Sequence, residues 1–222
     1  TKDKKVVWSD RWQEKWDNMP TIKMNLSDGL LKGLDTTPKV EKKVETTNSD
    51  AYEYYLRAKY RLEMRSNNQD IHIARELIEK ALRFDDNMIL AKSLLGKTYL
   101  FTNDNDKAMN IFEQNLSQAK ELKDNSGIAL SYSNIGTIFW YREKYDKALD
   151  NYNRSLEIVE TLNDKSQIAH LFHLIGHAYI DKKEYNHARK FWERSKILYE
   201  EIEDEDGISS SKTHYGILSF NI

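Results

Sequence analysis

Gly96, Gly136, Gly176 and Gly216 stand 40 residues apart, three equal intervals in a row. No other feature constrains this chain as strongly. A fixed period of this length means that one supersecondary unit has been copied and stacked, each copy burying its apolar face against the next. The product is an open solenoid rather than a closed globule. Such an array presents an extended surface suited to holding other proteins.

The period is carried by more than glycine. Ala108, Ala148 and Ala188 keep it, as do Phe112, Tyr152 and Trp192 and also Tyr99, Phe139 and Tyr179. Leu122, Leu162 and Ile202 follow, each trailed by Asp124, Asp164 and Asp204. Each column has a physical reason. A glycine in the first helix of a pair lets the second helix pass close, and an alanine does the same on the second helix. The aromatic columns are expected to fill the space between successive pairs.

The order of small residue, aromatic, alanine and second aromatic resembles the tetratricopeptide repeat (TPR). It occurs as Leu95-Gly96, Tyr99, Ala108, Phe112, then as Ile135-Gly136, Phe139, Ala148, Tyr152, and again as Ile175-Gly176, Tyr179, Ala188, Trp192. The resemblance runs from about residue 50 to the end. It implies an all-α fold, a TPR α-solenoid in which antiparallel helix pairs wind into a right-handed superhelix. TPRs usually repeat every 34 residues. A period of 40 resembles the long repeats of kinesin light chains and MalT-type regulators. An earlier, divergent repeat is expected, its first helix running from Tyr52 to about Met64 with Ala58 as the small residue, followed by a longer loop from Ser66 to Asp70. Ala74, Ile78 and Ala81 then mark its second helix, and Asp85, Asp86 and Asn87 the turn after it. The last unit has only a first helix, roughly Gly207 to Phe220. The TPR domain is thus assigned to residues 50–222, about four repeats plus a terminal helix.

Two Pro, no Cys and 32% charged residues describe a helical, soluble chain. Without cysteine there is no disulfide and no thiolate site, which fits the cytoplasm. A net charge of −2 gives no basic field, so nucleic acid is not an expected partner. No apolar run is long enough for a bilayer and no signal peptide is visible, so membrane contact is not expected. No cofactor is implied.

Residues 1–34 form a non-repeat segment, with Met19, Ile22, Leu26, Leu30 and Leu34 at helical spacing and Pro20 suited to a first turn. Residues 35–49 read as a linker, and Ser49 or Asp50 as the cap of the first repeat helix. Val7-Trp8-Ser9-Asp10-Arg11, with Ala51 to Tyr60 further on, resembles the junction between a TolB-like α/β module and TPRs in bacterial signalling proteins. In those, a class III adenylate cyclase or a DNA-binding domain lies further N-terminal. The resemblance implies that this chain, which begins at Thr1, is a fragment: the regulatory C-terminal part of an adenylate cyclase-like protein.

In a TPR stack the first helix of each pair lines the concave groove. The corresponding columns here include Lys97 and Phe101, then Ser133, Asn134, Thr137, Trp140 and Tyr141, then His170, His173, His177 and Asp181, and finally Thr213 and His214. This groove is aromatic and imidazole-rich. It lacks the Lys/Asn/Arg clamp by which chaperone-associated TPRs hold a carboxylate. Asn134 occupies the column where long-repeat TPRs carry an Asn that bonds a peptide backbone. Trp140 and Tyr141 can anchor a partner's side chains or pack against a neighbouring repeat. His170, His173 and His177 share one helix face. They can form a metal site, a pH-responsive patch or a polar groove wall. The wall is favoured, because no carboxylate or Cys completes a metal shell, although Asp181 is one turn on. Ser209 to Ser211 beside His214 read as a polar helix start, and Glu200 to Asp206 as a solvated turn.

No phosphate loop, HExxH motif or triad suggests catalysis. The expected function is protein–protein interaction: the groove takes a peptide or helix of a partner or of another domain of the same polypeptide. The alternative is an assembly element, a homodimer formed through the end of the stack or the N-terminal Met/Ile/Leu stripe.

Overall fold

A computed structural model describes residue 46 and residues 48–211, and the chain divides into two compact units between Thr98 and Tyr99. Among the described residues all regular structure is α-helical. The helices are α1 (Ser49–Glu63), α2 (Asn68–Phe84), α3 (Ile89–Phe101), α4 (Asn105–Glu121), α5 (Asn125–Tyr141), α6 (Tyr145–Thr161), α7 (Lys165–Asp181) and α8 (Tyr185–Glu201). Residues 205–211 are helical again. Residues 1–34, nearly all of the linker, Thr213, His214 and Gly216 lie outside the described residues.

In the first unit, α1 begins three residues before Tyr52. Its cap is Asn48, not Ser49 or Asp50: the Asn48 carboxamide oxygen accepts the Ala51 N–H at 3.0 Å. An Asn in extended backbone reaches that donor, which a residue already inside the helix cannot do. Asn67 caps α2 likewise, accepting the Asp70 N–H at 3.1 Å. The expected loop is therefore shorter, since Asn68, Gln69 and Asp70 belong to α2. Asp70 accepts the Ser66 N–H at 2.9 Å and faces Arg61; that N–H first, and the Arg61 charge with it, hold its carboxyl below the usual range. Ala58, Ala74, Ile78 and Ala81 are all buried, as their columns require.

The second unit is built on a shorter rhythm than the sequence period. Helices α4 to α8 each have 17 residues. Asn103, Lys123, Glu143, Asn163, Lys183 and Glu203 all adopt the left-handed region, with φ of 59°, 54°, 57°, 52°, 63° and 57°. Each closes the preceding helix in the same way. The Lys123 N–H bonds Lys120 C=O at 3.1 Å, and the Asp124 N–H reaches back to Ala119 C=O at 2.9 Å. These bonds satisfy carbonyls that the helix end would otherwise orphan. The next residue then opens the following helix: Asp104, Asp164 and Asp204 accept the N–H groups of Lys107, Gln167 and Gly207 at 3.2, 3.0 and 3.0 Å. None of the six left-handed residues is glycine, although a side chain there costs roughly 1–2 kcal/mol. Glu143→Gly is therefore expected to raise stability by about 0.5–1 kcal/mol, read as a higher urea midpoint; an unchanged or lower midpoint refutes it.

Packing within each pair explains the glycine column. A Cβ added to Gly136 would lie 2.7 Å from the Tyr152 ring and 3.2 Å from Ala148 C=O, and one added to Gly176 would run into the Trp192 indole. Tyr152 and Trp192 therefore fill the space inside a pair, where only a backbone without Cβ leaves room for a flat ring, and not the space between pairs as expected. A second staple joins the same helices. Ser155 Oγ donates to Ala129 C=O and Ser195 Oγ to Ala169 C=O, each at 2.7 Å and buried. Successive pairs are linked at the rim by Arg142 with Asp106 and by Lys182 with Asp146.

Candidate functional site

Helices α5 and α7 are the first helices of successive pairs and touch each other. They bring together Trp140, Tyr141, His173, His177 and Asp181. The Trp140 indole N–H donates to Asp181 Oδ2 at 2.6 Å, tying one repeat to the next. The Trp140 ring stands 5.0 Å from Tyr141 at 65° and 6.5 Å from His177. Trp140 is half-buried by these neighbours, whereas Tyr141 is 53% exposed. Trp140 thus packs against the neighbouring repeat and still offers surface.

Two of the three histidines, His173 and His177, form a direct pair. His173 Nε2 and His177 Nε2 lie 3.0 Å apart in a hydrogen bond that one neutral ring must accept. His170 is exposed a turn earlier. Beneath the pair, Trp192 donates its indole N–H to His173 C=O at 3.1 Å and places its ring 5.2 Å from His177. Among the described residues, no three His, Cys, Asp or Glu side chains gather to hold a metal ion.

Ser133 and Asn134 are 9% and 5% exposed, so they are buried and present little surface to a partner. Asn134 Nδ2 is buried with no hydrogen-bond partner among the described residues. Thr137 donates to Ser133 C=O at 3.1 Å and accepts the Tyr152 hydroxyl at 3.3 Å. Burial pushes the Tyr152 phenol up to about 12, so it stays a donor at any physiological pH. Phe101, at the end of α3, is 40% exposed. Lys97 belongs to the first unit and is half-buried; desolvation first, and the Lys59 charge second, hold its pKa below the usual lysine range.

Sequence reasoning placed Trp140 and Asp181 in the groove without seeing that they bond, and it missed Trp192 as the support of the histidine pair. The available signal was the offset of 41 residues between Trp140 and Asp181, one period plus one.

The helix pairs are those of a repeat array, and sequence comparison agrees. Models of the tetratricopeptide repeat match residues 87–161 and 169–195. The chain carries tetratricopeptide repeats in an all-α fold. Among solved structures, the apo form of RapI is similar with a TM-score of 0.64 at 17% identity, over 91% of this chain and 71% of that one. A Rap protein complexed with competence and sporulation factor gives 0.62 at 17%, over 82% and 50%. Aspartyl phosphate phosphatase F from Bacillus subtilis gives 0.62 at 14%, over 89% and 50%. This chain therefore spans about half the length of the last two. At these identities the likeness is one of fold. No curated protein matches the sequence. No helix among the described residues is long and apolar enough to cross a membrane.

Proposed function

We propose that this chain is a protein–protein interaction module that holds a partner's peptide or helix against α5 and α7. The observation that carries this reading is the half-open aromatic pair of Trp140 and Tyr141, oriented by the Asp181 bond. Aromatic anchors in a preformed wall supply most of the energy of such contacts, because little ordering remains to be done on binding. The complex of a similar Rap protein with competence and sporulation factor supports the reading by analogy of fold.

The roles of Lys97, Phe101 and His214 rest on their repeat columns alone. On the front segment's sequence resemblance, the module would be the regulatory C-terminal part of a bacterial adenylate cyclase-like signalling protein, working in the cytoplasm, possession of no cysteine being at home there.

The test uses peptides selected from a random 12-residue library on the unmodified chain. Trp140→Ala is expected to weaken their binding about tenfold, or about 1.4 kcal/mol, in fluorescence polarisation. Light scattering should find the same oligomeric state in both proteins. Unchanged binding together with a lost dimer would instead favour the assembly role.

A further inference from the structure

The carboxylate of Asp181 is exposed and forms no ion pair among the described residues. The basic residues next to this site in sequence are already committed. Arg142 bonds Asp106, and Lys182 bonds Asp146 and Glu184. Asp181 is nonetheless fixed in place, because one oxygen accepts the Trp140 indole N–H at 2.6 Å. A charged acceptor held by a neutral donor keeps its charge and its second oxygen available. The Tyr145 phenol is pushed up by burial first, then by the charges of Asp181 and Glu143. The Trp140 ring meets this carboxylate through its N–H, and the Tyr141 ring stands 5.0 Å from the indole at 65°.

A positioned carboxylate at the edge of an aromatic cluster is what a cationic side chain needs. The ring quadrupoles attract a cation from one side and the carboxylate from another. Arginine suits it best, since its planar fork can pair with a carboxylate edge and also lie flat on a ring. Resting on the interaction reading above, we infer that Asp181, Trp140 and Tyr141 form a specificity pocket for a basic side chain, arginine in preference to lysine, of the bound peptide. Charge complementarity selects this occupant over an acidic or purely apolar one, which would leave Asp181 unpaired beneath it.

The experiment uses immobilised eight-residue peptides in which Arg, Lys, Leu or Glu is placed at each position in turn. The unmodified chain is expected to select Arg, then Lys, at one position. Asp181→Asn should reduce that preference about tenfold, and Asp181→Lys should transfer it to Glu at the same position. Circular dichroism of both variants confirms folding, and their retained binding to the Leu-containing peptides keeps the comparison valid. Peptides that bind without a basic preference, or a preference that survives Asp181→Asn, overturn the pocket while leaving the groove standing. Absence of binding by any peptide overturns the groove reading, and the pocket with it.

Discussion

Trp192→Ala is expected to destabilise the second unit by about 3–5 kcal/mol, the range for deleting a large aromatic from a packed interior. The indole is 1% exposed, lies against the bare backbone of Gly176 and donates to His173 C=O at 3.1 Å. On the Gly176 side the wall is helix backbone held by its own hydrogen bonds, which cannot collapse into the vacated space. Whole domains are stable by only about 5–15 kcal/mol, so this one substitution removes a large share. The loss also removes the ring packed against His173 and His177. Trp192→Phe keeps most of the volume and loses the N–H bond, which predicts a smaller cost of about 1–2 kcal/mol. Urea unfolding followed by circular dichroism separates the two variants. A loss below about 1 kcal/mol for the alanine variant would mean that the pair does not depend on this ring. Because stacked repeats can unfold in parts, the slope of the transition should be compared as well as its midpoint.

How far the sequence could reveal this varies from residue to residue. The Gly, Ala and aromatic columns were legible because steric need leaves few residue types able to satisfy them, so a 40-residue period survives in the letters themselves. The 20-residue rhythm of the turns was not legible. Asn103, Lys123, Glu143, Asn163, Lys183 and Glu203 share a backbone conformation and no chemistry, because the turn is set by how adjacent helices must pack and is satisfied by backbone groups alone. Ser155 and Ser195 fall between these cases. Their column is periodic, but Asn115 occupies it one repeat earlier, which hides the shared hydroxyl. Counting columns placed the candidate residues on one helix of each pair and could not separate exposed positions from buried ones. Ser133 and Asn134 are buried by the neighbouring helices, a fact that depends on the angle between repeats and not on the period. The Trp140–Asp181 bond depends on the same angle. It joins residues whose separate placement in the groove was readable and whose partnership was not.

Gly176→Ala is expected to cost about 1–3 kcal/mol, the usual penalty for forcing atoms into a filled core. The sign is the informative part. In an exposed helix the same change is favourable by about 1 kcal/mol, because alanine loses less backbone freedom on folding. Here the added methyl would meet the Trp192 indole, and the indole cannot swing away without breaking its bond to His173 C=O and exposing the ring. The helix would have to move instead, carrying His173 and His177 with it. Combining Gly176→Ala with Trp192→Phe provides a check on the cause. A smaller ring should relieve part of the clash, so the double variant should be more stable than the sum of the two single losses predicts, with a coupling of about 0.5–3 kcal/mol. Strict additivity would place the cost elsewhere. An increase in stability for Gly176→Ala alone would show that the glycine column marks something other than close packing, and the physical basis assigned to the 40-residue period would fall with it.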